Sequence, residues 1–335
     1  MAHSNISIFV PHAGCPHKCS FCDQNSISGA MFQPDGEYVR KVCSEALECS
    51  RSPEETEIAF FGGSFTAIRR EYMLELLEAA REFVGEGKFK GIRISTRPDH
   101  IDKDILRLLR EYGVTAIELG AQSLDDRVLA MNERGHTRED VINASRLIQK
   151  NHFELGLQMM VGLYGSSRTA EWDTINIICA LKPDTVRIYP VVILNNTRLG
   201  ELFLSGVYKP FDFDEAVEIT SHAMLRFESE GIRVIKVGLH ASQLVEQDML
   251  GGFYHPAFRE LCEAVIYRKL IEAELAKHKD IVSAQFSVPG RELSKALGQK
   301  KSNIRFFEDR GIHLHISPDS SQKEKLKLIS CEKRK

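Results

Sequence analysis

Cys15, Cys19 and Cys22 fall within eight residues of one another in the stretch Phe9-Val-Pro-His-Ala-Gly-Cys-Pro-His-Lys-Cys-Ser-Phe-Cys-Asp-Gln24. Thiolates are ligands for soft metals, and structural zinc or redox-only iron–sulfur sites ordinarily take four protein ligands. No fourth cysteine lies nearby. The C-x3-C-x2-C spacing therefore predicts a metal site with one position open to something other than protein, and an open position suggests chemistry. Taken as residues alone, the same loop also fits a zinc ion completed by His12 or His17, or three unrelated buried thiols. Cys43, Cys49, Cys179, Cys262 and Cys331 show no ligand-like grouping and read as reduced thiols, mostly small buried apolar residues.

Such a loop needs a scaffold, and hydrophobic periodicity supplies one. Ile6 to Val10, Glu57 to Phe61, Gly91 to Ser95, Val114 to Leu119, Leu155 to Val161, Thr185 to Leu194 and Ile232 to Val237 read as strands. Between them run helical stripes, such as Met73, Leu76, Leu77, Ala80, Phe83 and Val84, and Thr137 with Asp140 resembles a capping box. Strict β-then-α repetition implies parallel strands with crossover helices, hence a barrel or an open α/β sheet. In such barrels chemistry sits at the C-terminal ends of the strands. The cysteine loop, Gly62-Gly63, Thr96-Arg97-Pro98, Gly120-Ala-Gln-Ser123 and Gly162-Leu-Tyr-Gly165 all fall there.

With Phe21 as its aromatic, the C-x3-C-x-aromatic-C pattern resembles the signature of the radical S-adenosylmethionine (SAM) enzymes. The resemblance implies that Cys15, Cys19 and Cys22 hold a 4Fe-4S cluster whose fourth iron is chelated by SAM. It further implies that reductive cleavage of SAM yields a 5′-deoxyadenosyl radical, the electron coming from a donor such as ferredoxin or flavodoxin. Gly62 and Gly63 match the glycine pair that meets the methionine end of SAM, with Ser64 and Thr66 as neighbours, and Phe21, the aromatic of the cysteine motif, is counted with the cofactor-binding residues. Gln122 and Gln158 occupy strand positions that hold the SAM sugar in relatives, and Arg134 matches an arginine that pairs with the SAM carboxylate. Each has a plainer reading: a tight βα turn, polar residues at a barrel mouth, a surface arginine at a helix end. No residue is singled out as the catalytic one.

Phe61-Gly-Gly-Ser-Phe-Thr66, Thr96-Arg97-Pro98-Asp99, Glu118-Leu-Gly-Ala-Gln-Ser123, Arg134-Gly-His-Thr137, Gln158-Met-Met-Val-Gly162, Ile188-Tyr-Pro190 and Tyr208-Lys-Pro210 are together similar to the radical SAM core of the Elongator catalytic subunit, which modifies the wobble uridine of tRNA. The similarity runs from about residue 6 to about residue 240. It departs at Ser95, where that family has glutamate. No glycine-rich pyrophosphate loop of the acetyltransferase kind follows residue 240, so acetyl transfer is not carried over. The implied function is radical SAM modification of RNA, with tRNA as partner. The alternatives are a radical SAM enzyme acting on a small molecule such as a porphyrinogen, or a non-catalytic metal-bound scaffold.

Beyond the barrel the pattern changes. Ile281 to Val288 alternates as a strand, Glu292 to Leu297 is a short helix, Gly298-Gln-Lys-Lys301 a turn, Asn303 to Asp309 a helix and Gly311 to Ile316 a strand. That order resembles a KH-type fold, whose Gly-x-x-Gly loop clamps a nucleotide backbone. Here Lys301 replaces the second glycine, and Lys300, Lys301 and Arg305 are the candidate phosphate contacts. Residues 290–335 contain 12 Lys and Arg against 6 Asp and Glu; with −3 for the whole chain, residues 1–289 carry −9. An acidic body with a basic end suits a protein that meets a polyanion at one end.

The expected architecture is α/β: a partial (β/α) TIM-like barrel of the radical SAM type over 1–240, a helical connection packed on it over 241–279, a small α+β, KH-like basic module over 280–318 and a basic tail over 319–335. No apolar run approaches a bilayer's thickness, and Ile6 to Val10 is too short for a signal-peptide core. A cytoplasmic location without membrane contact is expected, where eight cysteines mean ligands and free thiols.

Overall fold

The computed structural model describes residues 4–11, 15, 18–23, 32–240 and 242–334, so His12 and His17 lie outside the described residues. Two compact units separate: Met1–Phe211 with Arg226–Tyr254, and Asp212–Leu225 with His255–Lys335.

The first unit is built on β1 (Ser4–Val10), β2 (Thr56–Gly62), β3 (Gly91–Thr96), β4 (Val114–Gln122), β5 (Glu154–Val161), β6 (Thr185–Pro190) and β8 (Arg233–Val237). They pair in that order, every neighbour parallel, as a half-barrel. All six residues of β3 are buried, the polar Arg93, Ser95 and Thr96 among them. Between strands run α1 (Gly36–Cys49), α2 (Arg70–Arg81), α3 (Lys103–Glu111), α4 (Asp126–Met131), α5 (Arg138–Lys150) and α6 (Arg168–Leu181). Thr137 and Asp140 form the expected capping box at the start of α5.

The segment 185–194 is not one strand. Pro190, with no N–H to give the ladder, ends β6, and Val192–Leu194 forms β7, antiparallel to β9 (Met249–Gly252). The helix α7 (Arg198–Leu204) follows, and further on lie α8 (Phe213–Ser229) and α9 (Gln243–Asp248).

In the second unit α10 (Phe258–Leu275) is followed by β10 (Ile281–Val288), α11 (Leu293–Leu297), α12 (Ser302–Glu308), β11 (His313–Pro318) and β12 (Lys327–Lys333). The sheet order is β11-β10-β12, with β10 parallel to β11 and antiparallel to β12. Its core joins Tyr267, Ile271 and Leu275 of α10 to Phe286, Val288, Phe307, Leu314 and Ile316. The expected connection 241–279 is thus divided: residues through Tyr254 cluster with the barrel, whereas α10 supplies the core of the C-terminal module. The expected tail 319–335 contains β12. There Leu326, Leu328 and Cys331 pack on the module's core while Lys327 and Lys333 stay outside. Among the described residues no helix is long and apolar enough to cross a membrane.

Candidate functional site

At the C-terminal ends of the strands the half-barrel encloses a cavity of about 560 Å³. Cys15, Cys19, Cys22 and Phe21 line it, together with Gly62, Gly63, Gln122, Arg134 and Gln158. These nine predicted residues come from three separate loops and three strands, β2, β4 and β5, and the fold brings them to one cavity. Ser64 and Thr66 do not line it. Ser64 Oγ lies 2.9 Å and Thr66 Oγ1 2.6 Å from Thr96 Oγ1, and Thr66 also donates to His100 O at 2.8 Å. The two hydroxyls brace the strand end that carries Thr96, which does face the cavity.

The cysteine loop is held from behind. Ser20 is bound to Asn132, and Ser20 O accepts from Leu199 N at 2.7 Å. Cys19 is buried, and Arg134 Nη1 donates to its sulfur at 3.0 Å while Nη2 donates to Gly120 O at 2.6 Å. Burial and the neighbouring thiols push the Cys22 pKa up to about 12. The Cys15 thiol is raised by burial and then by Cys19. Thiols that oppose each other's ionisation are the arrangement a polycationic centre reverses, since a coordinating thiol loses its proton outright. Among the described residues no three His, Cys, Asp or Glu are grouped as around a single metal ion.

Glycine at 62 is a steric requirement. Its φ is +113°, and a Cβ there would sit 2.7 Å from Val10 O. Gly63 N donates to that same carbonyl at 2.9 Å. Gln122 also holds a left-handed backbone, φ +64°, at an irregularity in the β4–β5 ladder. Its Oε1 is buried without a partner, as is Arg134 Nε. Non-glycine residues rarely adopt this conformation, and buried orphan polar atoms are rare in native proteins.

Beneath the cavity runs a ladder of buried charge. Arg93, fully buried, meets Glu57, Glu154 and Glu118 at 2.7, 2.7 and 3.4 Å. Glu118 accepts from Arg187 Nε and Nη2 at 2.6 and 2.9 Å, and from Gln158 Nε2 at 2.9 Å. Burial alone would raise the Glu118 pKa, yet Arg187 and Arg93 hold it below the usual carboxylate range. The ladder thereby fixes two cavity residues, Gln158 and Arg187. Nearby, Arg97 forms a fork with Asp99 at 2.9 and 2.7 Å.

Tyr189, of the Ile188-Tyr-Pro190 motif, also lines the cavity, and so do Arg187, Lys236 and His240, for which the sequence predicts no role. The available signal was a charged residue at an inward position of an otherwise apolar strand, because buried charge must be paired. Lys300, Lys301 and Arg305 belong to the second unit, where all three are exposed. Lys300 and Lys301 both have positive φ, 51° and 59°. The turn thus keeps a left-handed residue at 301, where a glycine was missing.

The chain matches the Radical SAM superfamily over residues 9–178 and the Radical_SAM C-terminal domain over residues 183–268. A tRNA uridine(34) acetyltransferase of Methanocaldococcus infernus is 27% identical over 258 residues, covering 65% of this chain and 48% of that protein. The heme chaperone HemW of Bacillus subtilis is 23% identical over 245 residues, covering 72% and 64%. The chain therefore spans about half the length of the first relative and under two thirds of the second. In fold it resembles the archaeal Methanocaldococcus infernus Elp3 with N-terminus deletion (1-46): TM-score 0.58 at 21% identity, over 82% of this chain and 64% of that one.

Proposed function

The chain belongs to the radical SAM superfamily, and from that premise we propose that it is an enzyme that reductively cleaves SAM at a 4Fe-4S cluster in order to modify RNA, with tRNA as substrate. One observation carries the first half: three thiols and two orphaned buried polar atoms, Gln122 Oε1 and Arg134 Nε, border one cavity. An unpaired buried donor or acceptor costs about 1–3 kcal/mol, so their convergence favours a polar ligand. A cube gives each thiolate its own iron and does not need the sulfurs gathered around one ion.

Cys15, Cys19 and Cys22 would hold the cluster. Gly62 and Gly63 would let backbone approach the methionine end of SAM, Arg134 would take its carboxylate, and Gln122 and Gln158 its ribose hydroxyls. When bound, and given one electron from a ferredoxin or flavodoxin, cluster and SAM supply a radical able to abstract hydrogen. The chain's own contribution is positioning. Arg97 is locked by Asp99, Gln158 is held between Ser95 and Glu118, and Phe9, Phe61, Met160 and Leu239 give the cavity apolar walls that exclude water.

RNA as substrate is supported by the second unit and by the relative's name. The basic C-terminal residues carry Lys300, Lys301 and Arg305 on a KH-like β-α-α-β frame, suited to phosphate contacts. The anaerobically reconstituted protein should release 5′-deoxyadenosine under reducing conditions, about tenfold faster with cellular tRNA. No 5′-deoxyadenosine under any condition would leave only a metal-bound scaffold. Release stimulated by a porphyrinogen and not by tRNA would favour the small-molecule reading, to which the HemW similarity lends weight.

A further inference from the structure

In the second unit the ring of Phe306, half-buried on α12, carries two guanidinium groups. Arg310 Cζ lies 3.4 Å and Arg268 Cζ 4.6 Å from its centroid. The shorter distance is that of a flat stack, and Arg310 Nη1 also donates to Phe306 O at 2.9 Å. This guanidinium is therefore pinned from beneath and along one edge, while Arg310 itself stays exposed. Two cations on one ring repel each other unless an opposite charge answers them. Glu308 and Asp309 are close in sequence, yet among the described residues no ion pair joins a carboxylate to Arg268, Arg305 or Arg310. Arg305 precedes Phe306 on α12, and Lys300 and Lys301 stand in the turn before that helix, likewise without ion pairs among the described residues.

We infer that this patch is a stacking platform for an unpaired RNA base, with the outer face of Arg310 taking the base and Lys300, Lys301 and Arg305 the phosphates beside it. A guanidinium offers a flat π face as well as N–H donors at its edge. A lone phosphate or an acidic peptide would use only the edge, and neither needs a plane held flat by a ring beneath it. Holding that plane before the ligand arrives lowers the ordering cost of binding. Bases inside a duplex stack on one another and have no face to spare, so the ligand is a single strand. The platform rests on the RNA reading proposed above and extends it from phosphate contact to base contact.

Equilibrium binding to the full chain at one fixed salt concentration decides the matter, using a single-stranded RNA, an abasic strand of the same length and the RNA annealed to its complement. The single strand is expected to bind at least about fivefold more tightly than the abasic strand, the lower end for stacking one base. Arg310→Lys keeps the charge and removes the plane. It should bring that ratio to near one and leave binding of the abasic strand and of the duplex as they were. Lys300→Gln should instead weaken all three alike. A ratio near one in the wild type, a ratio unchanged in Arg310→Lys, or an equal loss for all three ligands in that variant overturns the platform and leaves the phosphate contacts standing. If Arg310→Lys does not fold, Phe306→Leu, which removes the ring beneath the plane, is decisive in the same sense. Failure of all three ligands to bind the wild type overturns the RNA reading itself, and the platform with it.

Discussion

Ser20 and Asn132 are joined twice, Ser20 Oγ to Asn132 Oδ1 at 2.9 Å and Ser20 N to Asn132 O at 3.2 Å. Asn132 Nδ2 in turn reaches Val128 O and Tyr164 O, both at 2.8 Å. One fully buried amide therefore ties the middle of the cysteine loop to the end of α4 and to the loop after β5. Asn132→Ala would strand a buried hydroxyl and a carbonyl. We expect a loss of about 1–3 kcal/mol in urea unfolding, together with less iron retained after gel filtration. Full iron retention would show that the loop holds its shape without this tie.

The three cysteines near the amino terminus differ from the other five in what surrounds them. Cys19→Ala should abolish iron loading while the circular dichroism spectrum stays that of a folded α/β protein. Cys43, fully buried on α1 and away from the cavity, is the control: Cys43→Ala should cost about 1 kcal/mol of stability and no iron. Equal iron in both variants would remove Cys19 from the site.

Gly62→Ala tests the turn. The added methyl meets Val10 O, a backbone atom that cannot swing away, and φ +113° is strained for any L residue. We expect a loss of about 1–3 kcal/mol and SAM binding weakened at least about tenfold. Gly85→Ala, with comparable φ but open space around it, should carry the backbone cost and leave SAM binding alone. Matching SAM affinities in the two variants would count against a ligand-facing role for Gly62.

Much of this was legible in the residues because the signals were local. The apolar residues of the strands recur between helical stripes, and the cysteine spacing and glycine pair need no long-range information. The rest depends on partners far apart in sequence. Nothing near Glu118 says that Arg93 and Arg187 will share it, and Ser64 and Thr66 could have faced the cavity until Thr96 claimed them. β12 was hidden by its own charge: Lys327, Lys333 and Glu332 dominate the composition, while Leu328 alone sits opposite Phe286. Lys236 lies on the last barrel strand, where a positive charge reads as a solvated end until the register sets it beside Arg187.

Glu171 sets a pH dependence. Its carboxyl is buried, accepts from Gly162 N and Ser166 Oγ at 2.8 and 2.7 Å, and burial raises its pKa from 4.5 to about 7. A group raised on folding contributes stability that is complete below its unfolded pKa and is lost as pH climbs through the folded one. Between pH 5 and pH 8 this costs about 2–3 kcal/mol at 1.36 kcal/mol per unit. Glu171→Gln, which keeps the acceptor oxygen, should flatten the stability profile over that window. A profile as steep as the wild type's would mean another group carries it.

Lys301 gives a prediction of opposite signs for stability and binding. A lysine at φ 59° pays about 1–2 kcal/mol relative to glycine for its left-handed backbone, so Lys301→Gly should raise the thermal midpoint of the protein. If that lysine was placed in the turn for its charge, the same variant should bind tRNA more weakly, and the slope of log affinity against log salt should fall by about one contact. Lys300→Gly should behave alike, and the two should add. A more stable protein whose RNA affinity and salt slope do not change would mean that the KH-like turn faces no phosphate.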